Sequence, residues 1–432
     1  METVLITAIL YFISLVIYNN FSFFKKFLIQ PSILTGLFFL FLGNQGVSII
    51  SNEIYNDLKI LPSMLISFLF SGIILSNPAV DIKNSRFYLR VLRQGIFVWI
   101  IAILQLLMGF TISYFYFGKD SPYLILSSLI EIGWIGGHGS AAAYSGFVKQ
   151  LEIPEAGDLA IISATVGLLW GNISGIILVN FLKSKEVKKK KINFELNEFP
   201  KPQESELNVT KMVYGIVISI IPVAISYYLK KVLESLHFLS EFLKNFIEQL
   251  PLFFLVIVVS FFLRGIFFIY FKKEESIFVG IKIFTGIVLD LLILSAIATM
   301  NLSIIIKSID IVVIYSLGGI LTSLFAFIIS PFFVDEHPEI SLINYGMATG
   351  TTATGLMLLN SYKTINDKSS QQAILVYGSA APMSAPFIGG GMISLLIPFL
   401  IKNGFFYLLF ITLFITLVVL IIANLSLKKI YK

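Results

Sequence analysis

EIGWIGGHGSAAAYSGF, residues 131–147, is the stretch from which this chain is best read. It gathers Gly133, Gly136, Gly137 and Gly139 with Ser140 and three alanines, and sets Trp134, His138 and Tyr144 among them. The chain around it is mostly apolar. Glycines clustered at membrane depth leave backbone groups that no regular helix pairs, and lipid does not tolerate them. Such a backbone persists only when protein buries it or when it lines a polar cavity. The stretch is therefore where a ligand or an ion is expected to meet the chain.

Composition sets the surroundings. The chain has 432 residues, 57% hydrophobic and 13% charged, with a mean hydropathy of +0.90. A soluble domain carries about 25% charged residues. The apolar stretches run to roughly 17–25 residues, the length of spanning helices, and do not alternate over about ten as barrel strands do. The expected fold class is an all-α polytopic membrane protein. Cysteine is absent, which excludes disulfides, thiolate metal sites and thiol redox chemistry. The net charge of +6 is no nucleic-acid footprint, because the lysines lie in short loops, where they set topology. The opening METVLITAILYFISLVIYNN has neither a basic n-region nor an A-x-A cleavage site, so it reads as a first span and not as a removed signal peptide.

Charge then places the stretch. Spans are expected at residues 3–19, 32–50, 61–76 and 95–118, with a polar loop at 51–59. The loop at 81–93 carries Lys83, Arg86, Arg90 and Arg93 against Asp81. A further span at 159–182 ends in KSKEVKKKK, residues 183–191. Both basic segments belong on the cytoplasmic side. Residues 123–148 must then start and finish outside, which predicts a re-entrant hairpin with its tip near 136–140. The amino terminus is outside.

The charged segment 183–210, with Pro200 and Pro202, reads as a cytoplasmic linker between halves. Spans follow at 211–229, 251–271, 277–299 and 310–333. Between the first two, Leu236, Leu239, Leu243, Phe246 and Leu250 fall on one face of an interfacial amphipathic helix over 232–250. A second small-residue stretch, NYGMATGTTATGLMLLN at 344–360, marks a hairpin over about residues 340–362, which enters from inside. A span at 372–400 is interrupted by Gly378, Pro382, Pro386, Gly389, Gly390 and Gly391, expected to flank the second hairpin. The last span, 405–425, ends in Lys428, Lys429 and Lys432 on the cytoplasmic side. Lys230 and Lys231 run against the charge bias. The chain thus divides into two inverted-topology repeats, 1–182 and 211–402. Each has five transmembrane helices and one re-entrant hairpin, and an extra carboxy-terminal helix lies in 403–432. Glycine-rich breaks at matching places of inverted halves point to a secondary transporter's binding site.

The residue chemistry fits that pointer. Backbone N–H groups at a helix start favour an anionic group. Carbonyls at the end of a half-helix suit sodium. Gly136, Gly137 and Gly139 bare the backbone at the first tip. Thr349, Gly350, Thr351, Thr352 and Thr354 bring hydroxyls and bare backbone to the second. Tight packing through small residues is the better explanation of one such stretch alone; two in matching places of inverted halves favour a site. His138 reads either as a donor to substrate or proton relay, or as a hydrogen-bonded structural histidine. With three histidines and no cysteine, a metal cluster is not expected. No G-x-S-x-G elbow accompanies Ser140, so a hydrolase is not expected either. Asp290 is the carboxylate candidate for a cation site; an ion pair with Lys282 is the alternative. Glu131, at the hairpin's start, reads as reaching the outer interface. Asn172 either coordinates a ligand or bonds between helices.

GGHGSAAA, residues 136–143, resembles the GGHGTAAA-type signature of the sodium/glutamate symporter family. The paired small-residue hairpins, the charged central linker and the inverted halves are similar too. The resemblance implies that both hairpins contribute to sodium and substrate sites. It also implies an architecture like that of the sodium/citrate carriers, in which a transport domain moves past a dimeric scaffold. It assigns a role to Gly136, Gly137, His138, Gly139, Ser140 and Ala141. The chain departs from the family pattern at Ser140, where threonine is usual, in the threonine-rich second hairpin, and in its last span.

The expected function is a sodium-coupled symporter for a small carboxylate-bearing solute. L-glutamate comes first, with a sodium- or proton-coupled carrier of citrate-like di- or tricarboxylates as the alternative. A channel is disfavoured because two inverted halves offer no ring of filter loops. The substrate set is Gly136, Gly137, His138, Gly139, Ser140, Ala141, Thr351 and Thr352. The sodium set is Gly137, Thr349, Gly350, Thr354 and Asp290. No cofactor is expected beyond sodium as coupling ion. The partners are the anionic solute, Na+, membrane lipid and a second copy in a homodimer, in a bacterial inner membrane.

Overall fold

A computed structural model describes residues 1–26, 29–43, 46–76, 85–148, 155–186, 208–235, 252–271, 274–334, 337–350, 352–362, 368–384 and 387–431. Every element among them is helical, and none is a strand. The helices are α1 (Glu2–Asn20), α2 (Ser22–Lys26), α3 (Pro31–Leu42), α4 (Asn52–Leu75), α5 (Ser85–Phe117), α6 (Gly137–Val148), α7 (Glu155–Glu186), α8 (Val209–Ser235), α9 (Leu252–Phe271), α10 (Glu275–Ala298), α11 (Leu302–Lys307), α12 (Ile309–Phe333), α13 (Pro338–Thr349), α14 (Thr352–Tyr362), α15 (Lys368–Ala380), α16 (Met392–Lys402) and α17 (Phe406–Tyr431). Short 3-10 turns cover Pro122–Ser128 and Ala381–Met383, and a π-turn covers Glu131–Ile135.

Eight of the described helices are long and apolar enough to cross a membrane: α1, α4, α5, α7, α8, α10, α12 and α17. The chain is an integral membrane protein. Large apolar side chains such as Phe12 on α1, Leu321 on α12 and Ile415 on α17 stand exposed. On a spanning helix that is the surface that faces lipid.

Several boundaries differ from the sequence reading, each for a local reason. Residues 52–59 are the first turns of α4 and not a loop: Ile54 and Leu58 face inward and are buried, while Glu53 and Lys59 face out. The span expected at 32–50 stops at Leu42, because Gly43 takes an extended backbone. At about 1.5 Å per residue, α3 is too short to cross alone. The span expected at 372–400 is broken into α15 and α16 by its glycines and prolines. Residues 85–93 of the expected basic loop are the first turns of α5, with Arg93 buried; residues 77–84, residues 187–207 of the linker, residues 236–250 of the amphipathic helix, Lys272, Lys273 and Thr351 lie outside the described residues.

α10 packs along α3, α4, α6 and α8. α7 packs against α6 on one side and against α13 and α14 on another. The largest fully buried side chains are Trp134, Tyr144, Tyr315 and Tyr345. Trp134 and Tyr144 belong to the first small-residue stretch and Tyr345 to the second, so both stretches lie in the buried interior.

Candidate functional site

The first stretch is a broken helix. The π-turn Glu131–Ile135 ends at Gly136, and α6 starts at Gly137 with φ +67°. Single π-turns mark strained, often functional points in helices. The Tyr144 hydroxyl donates to the Ile125 carbonyl at 3.3 Å, so the chain returns alongside itself. His138 is buried, with Nε2 3.0 Å from Thr165 Oγ1. The Thr165 proton goes to the Ile161 carbonyl at 3.0 Å. Thr165 must therefore accept, and His138 Nε2 carries the proton it donates.

A third segment closes on this motif. The turn 387–391, between α15 and α16, lies against it. The Ser140 hydroxyl donates to the Gly389 carbonyl at 2.6 Å. A Cβ at Gly136 would lie 2.7 Å from that same oxygen. Gly390 has φ +78°, and a Cβ there would overlap Ser140; only glycine meets both demands. Glu131 is fully buried and does not reach the interface. Its Oε1 accepts from the Gly389 N–H and, at 2.8 Å, from the Ser394 hydroxyl. The glycines expected to flank the second stretch thus meet the first one; α15, just before them, packs on α13. The broken segment touches both.

The second stretch is a close helical hairpin of α13 and α14. Gly346 lies against Gly355, where a Cβ would overlap the facing backbone. Pro338 begins α13 at a position where its missing N–H costs nothing. Thr349 is buried and donates to the Tyr345 carbonyl at 3.1 Å. Thr354 is buried too. Gly350 joins the helices with an extended backbone.

α7 and Trp134 bring the two stretches together. Trp134, wholly buried, lies between Gly167 of α7 and Gly319 of α12. A Cβ at Gly167 would stand 3.2 Å from the indole and 2.7 Å from the Thr349 carbonyl. One glycine thus touches both stretches. One turn on, Gly171 lies against Thr349 and Thr354. From the other side, buried Gln105 of α5 donates to the Ala348 carbonyl at 2.9 Å. Gln94 and Asn344 exchange amide bonds at 2.6 and 3.2 Å, and Asn344 also donates to Ser330 at 2.9 Å.

Of the expected residues, Gly136 and Ser140 lie with the turn 387–391, and Thr349 and Thr354 lie on α7 at Gly171. Ala141 is buried. Gly139 touches Leu289 of α10. The neighbouring Asp290 accepts from the Tyr11 hydroxyl of α1 at 2.7 Å. It makes no pair with Lys282, whose side chain is exposed. Eight residues of helix separate the two by about 12 Å, too far for an ion pair. The roles of Glu131, Gln105 and the glycine seats of Trp134 escape the sequence reading. Glycine content flags the broken segment, but no sequence signal tells which stretch it meets. Among the described residues, no three His, Asp or Glu side chains gather as metal ligands.

A family model described as sodium/glutamate symporter matches residues 1–360. No curated protein matches the chain.

Proposed function

We infer, from the premise that this chain belongs to the sodium/glutamate symporter family, that it imports L-glutamate together with sodium by alternating access. Sodium and glutamate are the transported pair the family implies, and a transporter family is not an enzyme family. The match across residues 1–360 carries this reading. The meeting of two glycine-broken stretches across α7 supports it.

In this reading, residues 1–182 and 211–402 are inverted repeats joined by the linker 183–210, and 403–432 is an added helix. Residues 123–148 and about 340–362 are re-entrant hairpins that enter from opposite sides. The backbone at the start of α6, over Gly136, Gly137, His138, Gly139, Ser140 and Ala141, holds a carboxylate of glutamate, with Thr351 and Thr352 on the facing tip. A helix start presents unpaired N–H groups to an anion. Sodium is held by backbone oxygens near Gly137, Thr349 and Gly350, with the Thr354 hydroxyl. Asp290 joins that set only by sharing its carboxylate with Tyr11. The two tips move together as an elevator-like domain past a dimeric scaffold in a bacterial inner membrane, with the amino terminus outside and the carboxy terminus cytoplasmic.

The test is uptake of labelled L-glutamate by reconstituted vesicles under an inward sodium gradient. Uptake that saturates and disappears when choline replaces sodium is expected. Equal uptake in choline sinks sodium coupling. Competition by citrate that exceeds competition by unlabelled glutamate assigns the carboxylate-carrier alternative.

A further inference from the structure

Glu131 is a buried carboxyl that the proposed sodium and substrate sets do not use. Its bonding is one-sided. Oε1 accepts from the Gly389 N–H and from the Ser394 hydroxyl at 2.8 Å. Oε2 is buried and has no hydrogen-bond partner. The Gly390 N–H donates to the Ser394 hydroxyl at 3.3 Å and also faces the carboxyl, on the same side as the other two donors. Among the described residues, no charged side chain acts on the carboxyl. Ionisable side chains on the elements packed against it include His138 and Tyr144 on α6, Asp158 on α7, Glu339 and Tyr345 on α13, Arg90 and Arg93 on α5, and Lys402 on α16. None of them is bonded to it.

A carboxylate shares its charge over both oxygens, and both then need donors or a cation. An ionised carboxyl left half-bare in a buried, unpaired site is among the costliest groups a protein can hold. The neutral acid suits this site: its carbonyl oxygen takes both donors and its other oxygen carries the proton. A proton removes the charge without further ligands. A sodium ion at Oε2 would need several more oxygens around it.

We propose that Glu131 is a proton-carrying site of the transport cycle. Oε2 takes a proton from the solution on one side, keeps it while Oε1 clasps Gly389 and Ser394, and releases it to the other side. Release leaves a charge that the donors on Oε1 offset only in part, because Oε2 stays bare, so the packing around Oε2 between the first stretch and the turn 387–391 must open to admit water as the proton leaves. Proton movement is thereby tied to the separation of two segments that the structure holds together. This rests on the symport reading, and adds one proton to the sodium that moves with glutamate.

The test compares the wild type with Glu131→Gln in sealed vesicles. Glutamine keeps the carbonyl that accepts from Gly389 and Ser394 but cannot release a proton. Three signals are read: exchange of internal for external L-glutamate with sodium on both sides, net uptake under a sodium gradient across a pH series, and lumenal pH from a trapped dye. The wild type should acidify the lumen as glutamate enters. Glu131→Gln should retain exchange while losing net uptake and acidification. Wild-type uptake without acidification overturns the proposal, as does net uptake by Glu131→Gln with the wild-type pH profile. Should the variant fail to fold, the wild-type lumenal signal decides alone. Lost sodium dependence in Glu131→Gln, with no acidification by wild type, places sodium at Oε2 instead of a proton. Absence of any sodium-driven glutamate uptake by wild type is a failure of the symport reading itself, and takes this inference with it.

Discussion

The Ser140 hydroxyl donates to the Gly389 carbonyl at 2.6 Å across 249 residues of chain. The first glycine stretch and the broken segment after α15 are thus one structural unit. Ser140→Ala removes the bond and leaves the Gly389 carbonyl without that donor. The loss is about 1 kcal/mol, or about fivefold in the half-saturation for glutamate if this face binds substrate. Uptake titrations of Ser140→Ala against wild type measure it. An unchanged half-saturation would make the bond structural only.

Trp134 fits because Gly319 and Gly167 give it room. Gly319→Ala puts a methyl into the indole and should cost about 1–3 kcal/mol of stability through overpacking. Trp134→Phe shortens the ring and discards an indole N–H that is buried without a partner. The double variant should therefore recover part of the loss, with an interaction energy of about 0.5–3 kcal/mol. Thermal unfolding of the four proteins in detergent gives the cycle; strictly additive losses would remove Trp134 from the seat described.

Asp290 distinguishes two roles through Asn. Asp290→Asn keeps an oxygen for the Tyr11 hydroxyl but loses the charge. If the carboxylate binds sodium, losing a charged ligand costs about 1.5–3 kcal/mol, and the sodium half-saturation rises about tenfold or more. If Asp290 serves only Tyr11, the sodium curve stays in place. Glutamate uptake measured against sodium concentration separates the two.

Asn424 of α17 bonds to Arg93 of α5 in both directions. Its Nδ2–H donates to the Arg93 carbonyl at 2.9 Å, and the Arg93 guanidinium reaches its Oδ1 at 3.4 Å. Arg93 is buried. Asn424→Leu should lower the thermal midpoint, since a hydrogen bond to a buried charged group is worth about 1.5–3 kcal/mol. Intact stability would show that α17 is held by apolar contacts with α5 alone.

The hairpin topology is open to labelling, because the chain has no cysteine of its own. Cysteines placed at Asp120 and Glu155 should both react with an impermeant reagent from outside. Reaction from opposite faces would make residues 123–148 an ordinary span.

Much of the architecture is legible in the order of residues. Hydropathy locates the spanning helices, since an apolar run of sufficient length has few other uses. Glycines 136, 137 and 139 announce a break in the first stretch, and the run 389–391 announces another. Periodicity meets its limit at residues 52–59, where Glu53, Asp57 and Lys59 suggest a loop. There α4 carries its charges outward and turns Ile54 and Leu58 in.

Sequence alone determined the environment, the helical class and the places where helices cannot continue. Those are properties of single segments, set by solvent transfer and backbone geometry. Tertiary structure decided which segments meet. Glu131 reads as a boundary charge and is sealed inside by a turn more than 250 positions away. Gly389–Gly391 joined the first stretch, Asp290 found Tyr11 in place of Lys282, and Gly167 let Trp134 and Thr349 approach from opposite halves of the chain. Burial and pairing of that kind depend on several helices at once, and no local pattern of residues encodes them.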